Sequence, residues 1–308
     1  MRSERTASPC LKTRVGELSL ETPVIAASGV WPYDSRFWRE DLAEGLGAAC
    51  TKAISRAPRA GNPGIRIWET PSGVLNSIGL QNEGAERFVD HYSALVAGGI
   101  PVVANVVMEA EAETQETLNV LLKAADCLAA VELNVSCPNV DREGMIWGVS
   151  PDSAAVATRI AREVWKGPLW VKMTPQTPDP EGVARAIERS GADAVVVGNT
   201  WLGMAMDTET QKPAFERVVA GLSGPAVFPL ALRMVWQVSH AVSLPVVACG
   251  GVQDGRQAAS MLLAGACAVE MGTAFFHDLK AGSRVCRELQ AYLEAKGQDV
   301  SDLVKKNR

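Results

Sequence analysis

Residues 168–200, "PLWVKMTPQTPDPEGVARAIERSGADAVVVGNT", read as one strand–helix–strand unit. Its two ends, "PLWVKM" (168–173) and "DAVVVGN" (193–199), are almost continuously apolar and rich in Val, as parallel strands covered on both faces are. Between them "DPEGVARAIERSGA" opens on Asp179-Pro180-Glu181, a helix-start signal, and closes at Gly191. The same alternation recurs outward in both directions. Further strand-like runs are "PVIAAS" (23–28), "AACTKA" (48–53), "IPVVANVV" (100–107), "AVELNV" (130–135), "LPVVACG" (244–250) and "AVEMG" (268–272). "PDSAAVATRIAREVW" and "GRQAASMLLAGA" supply amphipathic helices between them. Eight β/α alternations without a linker or composition break predict an α/β fold of the TIM (β/α)8 barrel type. A doubly wound sheet would usually need fewer strands, and no G-x-G-x-x-G occurs. Residues 11–22, "LKTRVGELSLET", alternate polar and apolar around Gly16. They predict a β-hairpin covering the N-terminal mouth of the barrel. The chain, 1–308, is expected to be a single domain.

Composition narrows the function. Hydrophobic residues make up 47% of the 308, enough for a large core without disulfides. A net charge of −5 gives no basic field and argues against nucleic acid as main partner. No run approaches the roughly 18 apolar residues that span a bilayer, and the N-terminus lacks a signal-peptide core, so a soluble cytoplasmic protein is expected. The seven cysteines include no C-x-x-C, which disfavours a zinc site or an iron–sulfur cluster in this chain. Cys50, Cys249 and Cys267 lie in apolar runs and read as small buried hydrophobes.

Active-site groups of such barrels sit at the C-terminal ends of strands. Here those ends carry Ser28, Lys52, Asn105, Asn134, Lys172, Asn199-Thr200, Gly250-Gly251 and Gly272-Thr273. Lys52 and Lys172 stand in apolar surroundings, so each needs an anion or polar partner. Snorkelling is the alternative. The glycines after the last two strands either make tight turns or let a phosphate approach the backbone, as part of a substrate or of a cofactor such as FMN. "GVLNSIGLQNEG" (73–84) carries Asn76, Gly79 and Asn82 and could present amides to a small anion. Finally, "AAVELNVSCPNVDREG" (129–144) runs from strand into loop, displaying Cys137 between Asn134 and Asn139. By itself that thiol could be a filler, a disulfide half, a metal ligand or a catalyst.

"LNSIGLQNEG", "NVSCPNV", "GNTWLGMAMDTETQKP", "GLSGPAVFPLALR", "PVVACGGV" and "MGTAFF", in this order, resemble the dihydroorotate dehydrogenase family, most closely its soluble NAD-linked heteromeric type. The resemblance spans nearly the whole chain and implies an FMN-carrying TIM barrel. It implies that Cys137 is the base taking the C5 proton of dihydroorotate while a hydride leaves C6 for flavin N5. A thiol of reference pKa ~8.5 needs a poised site for that work. It further implies that Lys52 lies near both orotate and flavin. Asn76, the backbone of Ser77, Ile78, Gly79 and Leu80, and Asn134, Asn199 and Thr200 clamp the substrate, with asparagines matching a ring that has donor and acceptor edges. Ser28, Lys52, Ala53, Asn105, Asn134, Lys172, Gly198, Gly224, Gly250, Gly251, Gly272 and Thr273 contact FMN, Lys172 beside its N1–C2 edge. No metal is implied in this chain. The resemblance also implies a partner subunit with FAD and a 2Fe-2S cluster that passes electrons to NAD, around a homodimer of barrels within a heterotetramer.

The chain departs from the family pattern at Val107, Gln176, Phe228 and Trp31-Pro32. These bear on pocket shape more than on cofactor. Competing readings are a dihydropyrimidine dehydrogenase-like reductase of uracil or thymine, a fumarate-linked homodimeric dihydroorotate dehydrogenase, a tRNA dihydrouridine synthase and a scaffold barrel without activity. The loop continues Asn139-Val140 rather than with His and a Gly-rich run, the charge does not suit RNA, and no proposed catalytic group is lost.

Overall fold

The computed structural model describes residues 8–31, 40–96, 99–136 and 147–307. Eight parallel strands close into a barrel: β1 (Val24–Ala26), β2 (Ala48–Cys50), β3 (Val102–Val107), β4 (Ala130–Asn134), β5 (Leu169–Lys172), β6 (Ala194–Val197), β7 (Val246–Cys249) and β8 (Ala268–Met271). Each pairs with the next in sequence, and β8 closes on β1 through Val269 opposite Val24 and Met271 opposite Ala26. Every strand falls inside a run expected from the sequence. Helices α1 (Glu40–Ala43), α2 (Ala85–Val96), α3 (Glu111–Leu121), α4 (Pro151–Val164), α5 (Pro180–Arg189), α6 (Phe228–Ala241), α7 (Gly255–Leu263) and α8 (Ala281–Lys296) follow the strands of the same number. A last helix, α9, spans Val300–Lys305.

The strands form where they do because both faces are buried. Val24, Val131, Val171 and Val269 pack outward under the helices, while Ile25, Ala130, Trp170 and Ala268 point into the barrel. Ser150, Asp179 and Asp254 start α4, α5 and α7 by accepting hydrogen bonds from the backbone N–H of Ser153, Gly182 and Gln257. Each such cap is worth ~1 kcal/mol.

The hairpin is present, with strands Thr13–Val15 and Leu18–Leu20 and a turn at Gly16, φ 59°. Val15 and Leu20 join the inward cluster with Ile25, Ala48, Val103, Ala130, Ala194 and Ala268. These six barrel residues are all first or second in their strands, so the hairpin plugs the N-terminal end. Thr13 Oγ1 donates to the Cys267 carbonyl at 2.7 Å and ties it to β8.

At the other end lies an antiparallel sheet that strand periodicity did not reveal. Its order is Trp201–Met204, Val219–Ser223, Gly73–Asn76, Ile67–Thr70. The first two strands come from the loop after β6 and the last two from the loop after β2, so this sheet fixes two distant loops against each other over the barrel mouth.

Candidate active site

The upper interior of the barrel is polar. Lys172, on β5, is buried and lies 3.4 Å from Glu132 Oε1 on β4, with a closer contact to Glu270 Oε2 on β8. Asn105, on β3, donates through Nδ2 to the same Glu132 Oε1. Cys50 Sγ, at the end of β2, donates to Glu270 Oε1 at 3.4 Å. Glu132 and Glu270 are the anions that the sequence reading required for Lys172 but did not name. The visible signal was a carboxylate inside each of two apolar runs, "AVELNV" and "AVEMG".

Burial, then the neighbouring Glu270 charge, pushes the Glu132 carboxyl well above its ordinary value. Glu270 is buried too, but Lys172 and its hydrogen bonds outweigh desolvation and hold it below the ordinary value. Burial works to discharge Lys172, yet the anionic Glu270 and the Glu132 carboxyl beside it keep it a firm cation. Burial pushes the Cys249 thiol up to about 12 and raises Cys50 strongly, so both remain thiols. Cys50 therefore does more than fill space: it is a hydrogen-bond donor to a carboxylate.

Above this layer is a rim of amides and hydroxyls. Asn134 ends β4, and its Oδ1 accepts from Ser136 N (3.1 Å), Ser136 Oγ (2.6 Å) and Asn199 Nδ2 (3.4 Å). Asn199 Nδ2 also donates to Ser136 Oγ at 2.5 Å, and its Oδ1 accepts from Thr200 N at 2.8 Å. Asn199 is thus engaged with protein partners at both ends, while Asn134 keeps its Nδ2 as a donor for a ligand. Ser136, absent from the predicted set, is the hinge of this network.

The antiparallel sheet brings Asn76 to the same rim. Ile67, Asn76, Gly221 and Leu202 are successive cross-strand neighbours and share one face. Asn76 Nδ2 donates to the Gly221 carbonyl at 3.2 Å, leaving its Oδ1 as an acceptor. A Cβ on Gly221 would fall 2.2 Å from Thr200 Oγ1 and 3.4 Å from Asn76 Nδ2, so Thr200 and Asn76 meet across a residue that must be glycine. The loop beyond Asn76 is pinned by Asn62, whose Nδ2 donates to Ser77 O (3.2 Å) and Ser77 Oγ (2.9 Å), while its N–H donates to Ile78 O. Gly79 and Leu80 take left-handed φ values of 72° and 58°, turning this loop back on itself. Asn82 bonds Leu80 O and Ser55 Oγ, an internal staple.

Lys52 follows β2, its Nζ 3.3 Å from where a Gly29 Cβ would stand, which joins the end of β2 to the turn after Ser28. The adjacent Ala53 side chain packs on Val107 and Leu80, leaving its backbone for any ligand. Gly198 ends β6, its N–H donating to Cys249 O on β7 at 3.0 Å.

The remaining predicted glycines converge at the ends of β7 and β8. A Cβ on Gly251 (φ 76°) would strike Phe228 N at 2.7 Å and Gly224 O at 2.8 Å, and one on Gly250 would strike the Ala231 side chain. Thr273 Oγ1 donates to Ser223 Oγ at 2.9 Å, and Gly224 (φ 99°) lies against Gly73. Gly272 differs from its neighbours: its φ is −119°, and an added Cβ would meet nothing closer than 3.7 Å. Packing does not demand glycine there, so the space above it suits a ligand.

Cys137 lies outside the described residues, as does Pro32. The other departures from the family pattern have structural roles. Trp31 is buried edge-on against Phe275 at 5.3 Å, Val107 packs on Ala53, and Phe228 begins α6. Gln176 Nε2 donates to the Thr200 carbonyl at 3.2 Å, so it supports the rim. Among the described residues no disulfide joins two cysteines, and no helix is long and apolar enough to cross a membrane.

The family model for dihydroorotate dehydrogenase matches residues 10–293. The chain belongs to the dihydroorotate dehydrogenase family. Within it, the chain is 41% identical over 298 residues to the Dihydroorotate dehydrogenase B (NAD(+)), catalytic subunit, of Trichlorobacter lovleyi, covering 96% of this chain and 98% of that one. It is 40% identical to the subunit of the same name from Citrifermentans bemidjiense, over 96% of this chain and 97% of the other. The Phocaeicola vulgatus subunit is likewise 40% identical, with coverage of 96% and 97%. These family members match end to end, so barrel, hairpin and antiparallel sheet all lie within the shared region.

Proposed function

We propose that this chain, working as one domain, is the catalytic subunit of an NAD-linked dihydroorotate dehydrogenase, oxidising (S)-dihydroorotate to orotate in pyrimidine biosynthesis. The observation that carries the reading is the amide-and-hydroxyl rim of Asn76, Asn134, Ser136, Asn199 and Thr200 standing over a buried lysine. A flat pyrimidine with alternating N–H and C=O edges needs such a rim. The Asn76 Oδ1 accepts from ring N–H, the Asn134 Nδ2 donates to ring carbonyl, and Asn199 and Ser136 hold Asn134 in place. Lys52 and the backbone of Ser77–Leu80 take the carboxylate. Cys137 removes the C5 proton.

The residues also fit FMN. Asn105 Oδ1 is fully buried and accepts no hydrogen bond within the described chain, so it can receive a donor edge of a ring system. Gly272 leaves room where a Cβ would otherwise stand. In this reading Gly224, Gly250, Gly251, Gly272 and Thr273 admit the phosphate. Ser28, Lys52, Ala53, Asn105, Asn134, Lys172 and Gly198 surround the ring. Bound FMN would supply the acceptor for the hydride leaving C6. Onward transfer to NAD needs a second subunit, which the relatives' designation as a catalytic subunit supports; in this reading that subunit carries FAD and a 2Fe-2S cluster. Leu202, Met204 and Val219 expose an apolar strip on the antiparallel sheet, a surface suited to pairing two barrels. The lack of disulfides among the described residues suits a reducing cytoplasm.

The test is an anaerobic visible spectrum of the purified protein with dihydroorotate, for wild type and Cys137→Ala. Flavin absorbance should bleach in wild type and on the order of 10²–10⁴ times more slowly in the variant, the usual contribution of a general base. Bleaching by dihydrouracil but not dihydroorotate would move the chain to pyrimidine-base reductases. Absence of flavin after reconstitution with FMN would end the oxidoreductase reading.

A further inference from the structure

Three ionisable groups sit together in the upper barrel, and their hydrogen bonds assign the protons. Glu132 Oε1 faces two donors, Asn105 Nδ2 and Lys172 Nζ, and its Oε2 lies 3.9 Å from Cys50 Sγ; the single thiol proton goes to the nearer Glu270 Oε1 at 3.4 Å, which leaves Glu132 Oε2 to carry a proton. Glu270 faces donors at both oxygens, Lys172 at Oε2 and the Cys50 thiol at Oε1, as an ionised carboxylate does. The ligand atoms of Cys50, Glu132 and Glu270 lie within 4.8 Å of one another, a grouping that could hold a metal ion, but the Lys172 ammonium already bonds both carboxylates. Glu132, Glu270 and Lys172 are all buried, so any uncompensated charge would be costly.

We propose that Glu132 and Glu270 act as a one-proton counter-ion pair for Lys172, positioning its ammonium and fixing how much uncompensated positive charge it presents to the flavin. The flavin part rests on the function proposed above. One ammonium, one carboxylate and one carboxylic acid sum to zero, so the intact group offers the flavin a tethered, neutralised lysine. Removing either glutamate leaves the other to ionise against Lys172, and the sum is again zero. Removing both leaves a bare cation, which favours the reduced, more negative flavin. The two glutamates are therefore strongly non-additive, and each controls the other's proton.

Two measurements on the purified protein test this. The first is the infrared signature of a buried carboxylic acid at neutral pH, identified by its shift in D2O, in the apo- and FMN-loaded protein. Wild type should show the band. Glu132→Gln should lose it, and so should Glu270→Gln, because Glu132 then ionises. A band that persists in Glu270→Gln, or that is missing from wild type, overturns the proposal. The second is the dye-coupled reduction equilibrium of the bound flavin. Each single variant should stay within threefold of wild type. Glu132→Gln/Glu270→Gln should favour the reduced form at least tenfold, about 30 mV for a two-electron couple. Two single effects that add up to the double would also overturn it. If the double variant does not fold, the infrared result for the singles decides. If the protein binds no flavin, the function proposed above fails, while the apoprotein spectrum still decides the proton pair.

Discussion

The lower and upper layers of the barrel interior differ by two residues along the same strands. On β3, Val103 gives way to Asn105; on β4, Ala130 to Glu132; on β5, Trp170 to Lys172; on β8, Ala268 to Glu270. Because side chains on a strand alternate faces, each second residue points inward again. The lower layer joins the hairpin residues Val15 and Leu20 in a dry apolar plug. The upper layer is equally buried but ionic. The contrast shows where the fold keeps its stability and where it accepts costly groups: one step along the barrel axis separates a core from a working site.

That contrast can be broken from below. Val103→Asp puts a lone carboxylate in the apolar layer, with no cation near it. An unpaired buried charge costs several kcal/mol, and the expected outcome is loss of soluble folded protein, read by circular dichroism and size-exclusion chromatography. Lys172→Met breaks it from above. Removing one partner of a buried ion pair costs roughly 3–5 kcal/mol, read as a lower urea midpoint. The pH dependence fixes the cause. Without the ammonium both glutamates have folded pKa values above their unfolded ones. Stability is then retained at low pH and lost as pH rises through the folded values, so the deficit should be larger at pH 8 than at pH 5.

Leu20→Ala thins the plug without touching the ionic layer. A buried Leu→Ala costs about 2–5 kcal/mol, toward the low end at a barrel end, and the flavin equilibrium of the folded variant should be unchanged. The mildest change sharpens the comparison most. Gly272→Ala occupies space that packing does not need, so the melting temperature should fall by no more than a few degrees, as ~1 kcal/mol of backbone cost implies for a domain of this size. FMN affinity should nevertheless drop about tenfold, as ~1.4 kcal/mol of lost contact implies. An unchanged affinity would remove Gly272 from the cofactor cradle.

The eight barrel strands were legible because both faces of each are covered, which writes a continuous apolar run into the chain. The plug was legible through its alternation around Gly16. The antiparallel sheet was not, because its strands are half exposed: Leu202 and Met204 face out while Trp201 and Gly203 are half-buried. Its register is set by pairing across 145 positions, Asn76 with Gly221. The site divides in the same way. Lys172 announced itself as a charge in an apolar run, but its partners are 40 and 98 positions away and become neighbours only when the barrel closes. Asn62 and Ser136 act by holding other residues in place, a role that shows only once their partners are brought beside them.

The crossing of Asn76 and Thr200 over Gly221 has a consequence for how the molecule matures. The proposed substrate rim is stitched from loops that leave β2 and β6, so no short fragment of the chain contains it. Such distant pairings are entropically late events in folding. A pyrimidine ligand that needs both loops can therefore bind only a finished barrel and will stabilise that state by mass action. The substrate is also a final inspector of assembly, withholding its stabilisation from any chain whose two halves have not met.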